Sequence, residues 1–303
     1  MSGRVFLMIE ILFKIFNANR NHGRSQNKKF EHLSYEFMAE DVLQTISFLG
    51  LKRVHIIGHS MGGKVVVTVS TFSTCLSLIL VFLPLKAAEL ALKVGSSSST
   101  PLTSSSNGAA LTTLPEILSL SILDISPVAY STDDFRSVID TVGTLKRISG
   151  AFRNESIEKK DVIALVNDAI ESKAMQNFIA SNLLPCDQDK FRWSFNIHRI
   201  HESMTSILDF PAAAGHCPCR YDGPTMILKG SQSAFVRTSH FRAVERLFPN
   251  YFLVSVRNAG HWLHVDQPED SAERVARFLD SVKQFYAGAT SGGDNNLAVE
   301  VSL

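Results

Sequence analysis

Apolar residues recur along the chain in two rhythms. Phe37, Val42, Leu43, Ile46 and Leu49 follow helical spacing behind Ser34, a residue type that caps helix starts, and Gly50 closes the stretch. Val54 to Ile57 is instead a short continuous apolar run, the pattern of a strand buried on both faces. Gly58 to Gly63 follows as a turn, and Lys64 to Val67 opens another apolar stretch, so a strand, turn and helix are expected in succession. The strand pattern returns at Leu118 to Leu123, Thr225 to Leu228 and Tyr251 to Val256, and Glu269 to Tyr286 reads as a helix. Strands alternating with helices predict a mostly parallel sheet.

Between residues 131 and 210 helical patterning dominates, as in Lys160 to Ser172 and Lys173 to Leu184, with Phe191 to Phe195 as a possible short strand. The expected division is therefore an N-terminal part of the core over 1–130, a helical lid over 131–210, a C-terminal part of the core over 211–287, and a disordered tail over 288–303, rich in Gly, Asn and Ser. From Gly95 to Gly108 the text SSSSTPLTSSSNG lacks apolar periodicity, so a disordered surface loop is expected there, inside an insertion. Val65 to Leu85 is uncharged and near the roughly 20 residues that cross a bilayer, but it carries six Ser and Thr. A buried helix running into the insertion is the expectation, with membrane attachment as the alternative. Near the start, Val5 to Ile9 suits a strand and the Glu10–Lys14 spacing suits a helix; the two charges and the lack of a small-residue cleavage site argue against a secretory signal.

Composition narrows the function classes. A chain of 303 residues that is 45% hydrophobic suits one large α/β domain with a lid. With 30 basic against 29 acidic residues, it has no electrostatic footprint for nucleic acid and no polybasic block for an anionic membrane. Cys75, Cys186, Cys217 and Cys219 show no paired CxxC spacing, and the last two stand too close for a relaxed disulfide, so free thiols are expected.

Gly58-His59-Ser60-Met61-Gly62 fits G-x-S-x-G, in which a sharp strand-to-helix turn lifts the serine oxygen clear. Three fixed positions match by chance in roughly one chain of this length in ten, so the flanking strand and helix carry the weight. The plain alternative is a tight turn with an incidental serine. A serine hydroxyl needs a base, and His261 in Gly260-His261-Trp262, just beyond the strand ending at Val256, is the best placed. His264 is expected in the following helix and His59 pointing away from Ser60. Lys229 to Ala234, where many such folds carry the acid, has no carboxylate. Asp124 ends the preceding strand at the same carboxyl edge and could orient the imidazole, or it could cap the turn with Ser126 and Pro127.

These residues resemble the α/β-hydrolase fold and, within it, the α/β-hydrolase domain-containing protein 11 family with its small bacterial esterase relatives. The resemblance rests on Arg20-Asn21-His22-Gly23, Gly58 to Lys64, Asp124 to Val128, Gly230 to Val236 with a serine in place of the usual acid, and Asn258 to Trp262, and it covers about residues 18 to 285 apart from a low-complexity insertion at about 71–117 that the family does not have. It implies ester hydrolysis on small or lipid-like acyl substrates: Ser60 as nucleophile, His261 as base, Asp124 as the orienting acid, the Met61 N–H in the oxyanion hole, no cofactor and no metal. A small-molecule ester is the implied partner; a mitochondrial location follows by family analogy, and a cytoplasmic one otherwise. The family's first strands and a His-Gly oxyanion loop lie before Arg-Asn-His-Gly, where this chain has Met1 to Ala18 without that motif. Incomplete first strands are therefore expected, and a weak or inactive form that binds an acyl ligand or a protein is the rival reading.

Overall fold

The computed structural model describes residues 22, 33–82, 114–151, 158–185, 191–210, 220–289 and 299–302. The alternatives for Val5 to Lys14 and the low-complexity text from Gly95 to Gly108 fall outside these residues. Helix α1 (Tyr35–Phe48) begins as the pattern predicts: the Ser34 hydroxyl accepts the Phe37 N–H at 3.4 Å, and Gly50, with φ of 66°, takes the left-handed conformation just past its end. Strand β1 (Arg53–His59) follows, buried from Val54 onward.

Helix α2 (Met61–Phe82) leaves the strand through a single residue, Ser60. Val65, Val66, Val67 and Val69 are fully buried, which accounts for the uncharged stretch. Hydroxyl groups in its first half turn onto their own helix, with Thr68 donating to the Lys64 carbonyl, Ser70 to that of Val67 and Thr71 to that of Thr68, so these polar residues are buried with their donors satisfied. The helix takes residues 71–82 out of the expected insertion, and β2 (Glu116–Leu123) reclaims its far end. Among the described residues no helix is long and apolar enough to cross a membrane.

Beyond β2 the chain makes α3 (Arg136–Ala151), α4 (Lys159–Ala169), α5 (Lys173–Ser181), the hairpin of β3 (Leu183–Pro185) with β4 (Phe191–Trp193), α6 (Ile197–Glu202) and α7 (Met204–Leu208). This helical insert has its own small core, including Leu145, Val162, Val166, Ile179 and Trp193. The chain then returns through β5 (Thr225–Gly230), α8 (Phe241–Leu247), β6 (Tyr251–Val256), α9 (Leu263–Asp266) and α10 (Pro268–Ala289).

The main sheet has the order β6-β5-β2-β1-β7, with every pairing parallel. Alternate strand residues serve opposite faces. Val54, Ile56, Leu120 and Ile122 pack with α1 and α2, while Ile57, Leu123, Met226 and Leu228 pack with Val275, Leu279 and Val282 of α10. The register sets His59 opposite Leu123, Leu123 opposite Leu228 and Gly230 opposite Val256, so β1, β2, β5 and β6 finish along one edge.

The described parts of the tail, 288–289 and 299–302, depart from expectation. Helix α10 runs to Ala289, and Val299–Ser302 forms β7, paired with β1 from Val54 opposite Val299 to Ile57 opposite Ser302. The physical reason is the edge of β1, a row of backbone donors and acceptors that favours any strand able to reach it. Deleting residues 299–303 is expected to lower stability to urea by about 1–2 kcal/mol, since each ladder hydrogen bond contributes a net ~0.5–1.5 kcal/mol. Size-exclusion chromatography should show more self-association in the deletion. An unchanged urea midpoint and elution profile would remove β7 from the stable fold.

Candidate active site

Three backbone hydrogen bonds step along the carboxyl edge of the sheet. Ser60 N donates to the Leu123 carbonyl at 3.0 Å, Asp124 N to that of Leu228 at 2.8 Å, and Ser231 N to that of Val256 at 2.9 Å. Each ties the first residue past one strand to the end of its neighbour, so Ser60, Asp124 and the loops after β5 and β6 lie side by side. At Gly58 an added Cβ would overlap the Gly62 carbonyl, and at Gly63 it would press on the Ile125 side chain at 2.5 Å, so the turn closes only with glycine there. Ser60 and Asp124 adopt φ of 54° and 52°, left-handed values that cost a non-glycine residue roughly 1–2 kcal/mol each. Strain of this kind gathers where a side chain must be aimed.

The aimed side chains meet. Ser60 Oγ lies 2.9 Å from His261 Nε2, and His261 Nδ1 lies 2.7 Å from Asp124 Oδ2. With Nδ1–H donating to the carboxylate, Nε2 is left as the acceptor for the serine hydroxyl. Asp124 is fully buried, and a buried carboxylate must be surrounded by donors. Its Oδ1 accepts the Gly230 N–H at 2.9 Å, and its Oδ2 also accepts the Ser233 hydroxyl. Asp124 thus does not merely close its own turn: the imidazole and the loop after β5 converge on it. Asp209 lies elsewhere, accepting the Phe210 N–H at 2.7 Å.

Sequence reasoning misses three contributors. Ser233, in the loop that lacks the expected acid, supplies a hydroxyl to the acid on the next strand; the serine noted at that position was the available signal. The His59 Nε2–H donates to the His261 carbonyl at 2.8 Å, and its ring stands 4.8 Å from the His261 ring. Burial, then the neighbouring His261 and His264, push the His59 imidazole well below its usual pKa, which keeps it neutral. Lys64 is 1% exposed and donates to the carbonyls of Leu208 at 3.1 Å and Asp209 at 3.0 Å. Burial pushes this amine down to about 7, with Asp209 opposing.

A cavity of about 810 Å³ opens over Ser60, within the roughly 300–1,000 Å³ typical of small-molecule sites. Met61, His261 and Trp262 line its floor, and apolar side chains of the helical insert, among them Val142, Leu145, Phe178 and Ile207, form much of its wall. The Met61 N–H belongs to the first turn of α2, where helix donors lack intrahelical partners and the dipole favours negative charge. Among the described residues no group of three or more His, Cys, Asp or Glu could hold a metal ion.

The buried imidazoles have a consequence for stability. Burial lowers His59 and His264 and takes His55, on β1, down to about 4. Below about pH 6.5 the unfolded chain binds protons at these rings that the folded chain refuses, so stability falls as pH falls, by up to about 1.4 kcal/mol per pH unit for each ring. Urea midpoints should be nearly level from pH 7.5 to about 6.5 and drop from there to pH 4.5. A flat profile would contradict the neutral, buried state of these rings.

The sequence model of the alpha/beta hydrolase family matches residues 18–274. The sn-1-specific diacylglycerol lipase ABHD11 of Mus musculus is 26% identical over 86% of this chain and 69% of its own length, and that of Danio rerio is 26% identical over 86% and 67%. A solved structure of a marine microorganism esterase superposes with a TM-score of 0.66 at 23% identity, covering 86% of this chain and 82% of its own.

Proposed function

The chain belongs to the alpha/beta hydrolase family, and we propose that it is a serine hydrolase that cleaves carboxylic esters through an acyl-enzyme. The unbroken run of hydrogen bonds from Ser60 through His261 to Asp124 carries this reading. Ser60 Oγ attacks the ester carbonyl carbon as His261 Nε2 takes the hydroxyl proton, and the Met61 N–H donates to the carbonyl oxygen as charge develops there. The C–O bond to the alcohol then breaks, with His261 returning its proton to the leaving oxygen. Water repeats the sequence on the acyl-enzyme: His261 takes its proton, the acid departs, and Ser60 regains its hydrogen. Asp124 stays ionised throughout, holding the imidazole in one tautomer and stabilising it when charged.

The apolar wall of the cavity supports acyl chains as the bound portion, and the mouse relative's name, an sn-1-specific diacylglycerol lipase, supports lipid-like esters. In this reading the helices of residues 131–210 act as the lid.

A fluorophosphonate probe should label Ser60 alone among the serines, because only a hydroxyl with an adjacent base reacts readily with such phosphorus electrophiles. Ser60→Ala, shown folded by circular dichroism, should lose the label; retention of full labelling would refute the nucleophile. Asp124→Asn should reduce turnover by about ten-thousandfold, since the amide favours the wrong imidazole tautomer, while Asp209→Asn should be nearly silent. More than about a tenth of parental turnover in a folded Asp124→Asn protein would move the acid elsewhere, against the loss typical of a triad aspartate.

A further inference from the structure

Lys64 takes no part in the proton relay, yet it is the most deeply buried lysine side chain among the described residues. Burying a lysine amine is costly unless its surroundings replace water, and an apolar residue of similar length would fill the space without that penalty. The surroundings are correspondingly specialised. Nζ donates to three consecutive carbonyls, those of Ile207 at 3.4 Å, Leu208 at 3.1 Å and Asp209 at 3.0 Å, where α7 ends and the helix dipole is negative. The rings of Tyr130, Tyr35 and Phe210 stand 4.8, 5.4 and 5.8 Å away, within cation–π range of about 6 Å.

These partners come from both ends of the helical insert. Tyr130 lies where the chain leaves β2 for the insert, and Ile207 to Phe210 lie where it comes back. The two ends are joined directly, Tyr130 N donating to the Leu208 carbonyl at 3.0 Å, and the Tyr35 hydroxyl adds a bond to the Ile207 carbonyl at 2.7 Å. Lys64 itself sits one turn into α2, its N–H donating to the Ser60 carbonyl at 3.2 Å. A single buried amine therefore links the nucleophile helix to both roots of the insert. The segment it holds leads straight into the cavity wall, through Ile207, Met204 and Ile200.

We propose that Lys64 is a positioning residue: it clamps both roots of the helical insert to the helix behind Ser60 and so sets the wall against which the acyl chain of the substrate packs. The functional half of this inference rests on the ester-hydrolase reading; the structural half stands without it. Releasing the clamp loosens the wall and leaves the relay of Ser60, His261 and Asp124 in place. Long acyl chains, which span the wall, lose binding, and short ones do not.

The test uses Lys64→Met, which keeps the length and bulk of the stem, in the full chain. Hydrogen exchange of the amides at 204–210 should speed up at least tenfold. KM for p-nitrophenyl decanoate should rise at least fivefold with kcat within about twofold of the parent, KM for p-nitrophenyl acetate should stay within about twofold, and fluorophosphonate labelling of Ser60 within about threefold. Unchanged exchange would overturn the clamp. A parallel loss of kcat on both esters would overturn the positioning role by pointing to damage in the relay. If Lys64→Met does not fold, Tyr35→Phe, which removes only the hydroxyl on Ile207, must show the same split in milder form, and its absence counts against the proposal. A parent that labels at no serine and cleaves neither ester refutes the hydrolase reading, while exchange at 204–210 still decides the clamp.

Discussion

Everything at this site depends on strand register. The parallel pairings of β1, β2 and β5 end level with one another, and the backbone bonds from Ser60, Asp124 and Ser231 to the strand beside each carry that alignment one residue beyond the sheet. A slip of one residue would turn Ser60 or Asp124 to the opposite face. The observed register feeds two cores at once: Ile56 and Ile122 belong to one and Ile57 and Leu123 to the other. The core that stabilises the fold and the precision of the site are in this sense one property.

The buried carboxylate adds a second constraint. Asp124 is removed from water at the end of β2 and depends on the Gly230 N–H, the Ser233 hydroxyl and the His261 ring for compensation. The loop after β5 thus contributes a donor to the charge on the neighbouring strand. Tyr130 reinforces the arrangement, since its hydroxyl accepts the Ser126 N–H at 2.9 Å and donates to the Phe235 carbonyl at 2.6 Å, and Phe235 packs on the His261 ring at 4.2 Å. The turn after β2, the loop after β5 and the imidazole are fixed as one unit.

Much of this was legible in the chain, because the signals were local. The run Val54 to Ile57 followed by Gly58 to Gly63 announces a strand, a sharp turn and a helix, and Ser60 follows from it. The loop position of His261 follows from the strand ending at Val256. Asp124 was legible at one remove: the missing carboxylate in Lys229 to Ala234 and the strand ending at Leu123 left it as the candidate, and only the register, a long-range property, brings it within 2.7 Å of His261. The tail strand was not legible, because Val299–Ser302 is a four-residue segment whose pairing depends on the edge of β1, some 240 positions away in the numbering. The reach of α2 to Phe82 was missed for a different reason, since the start of the insertion was placed by resemblance to the family and not by any break in the chain's own pattern.

His59 and Lys64 show why the remaining part stays hidden. Both sit inside the elbow motif or directly after it, where pattern reading assigns meaning to the serine and the glycines and treats the other positions as free. What each does is decided by main-chain carbonyls about 200 and 145 positions away, those of His261 and of Ile207 to Asp209, and carbonyls leave no mark on sequence. A polar side chain without a visible partner in the sequence, placed where the fold must bury it, is therefore informative in itself. Burial without compensation would cost several kcal/mol, so such a residue must find its partners on distant backbone, and the backbone it finds is the part of the molecule whose position it determines. For His59 that part is the loop carrying the imidazole; for Lys64 it is the pair of roots from which the cavity wall is hung.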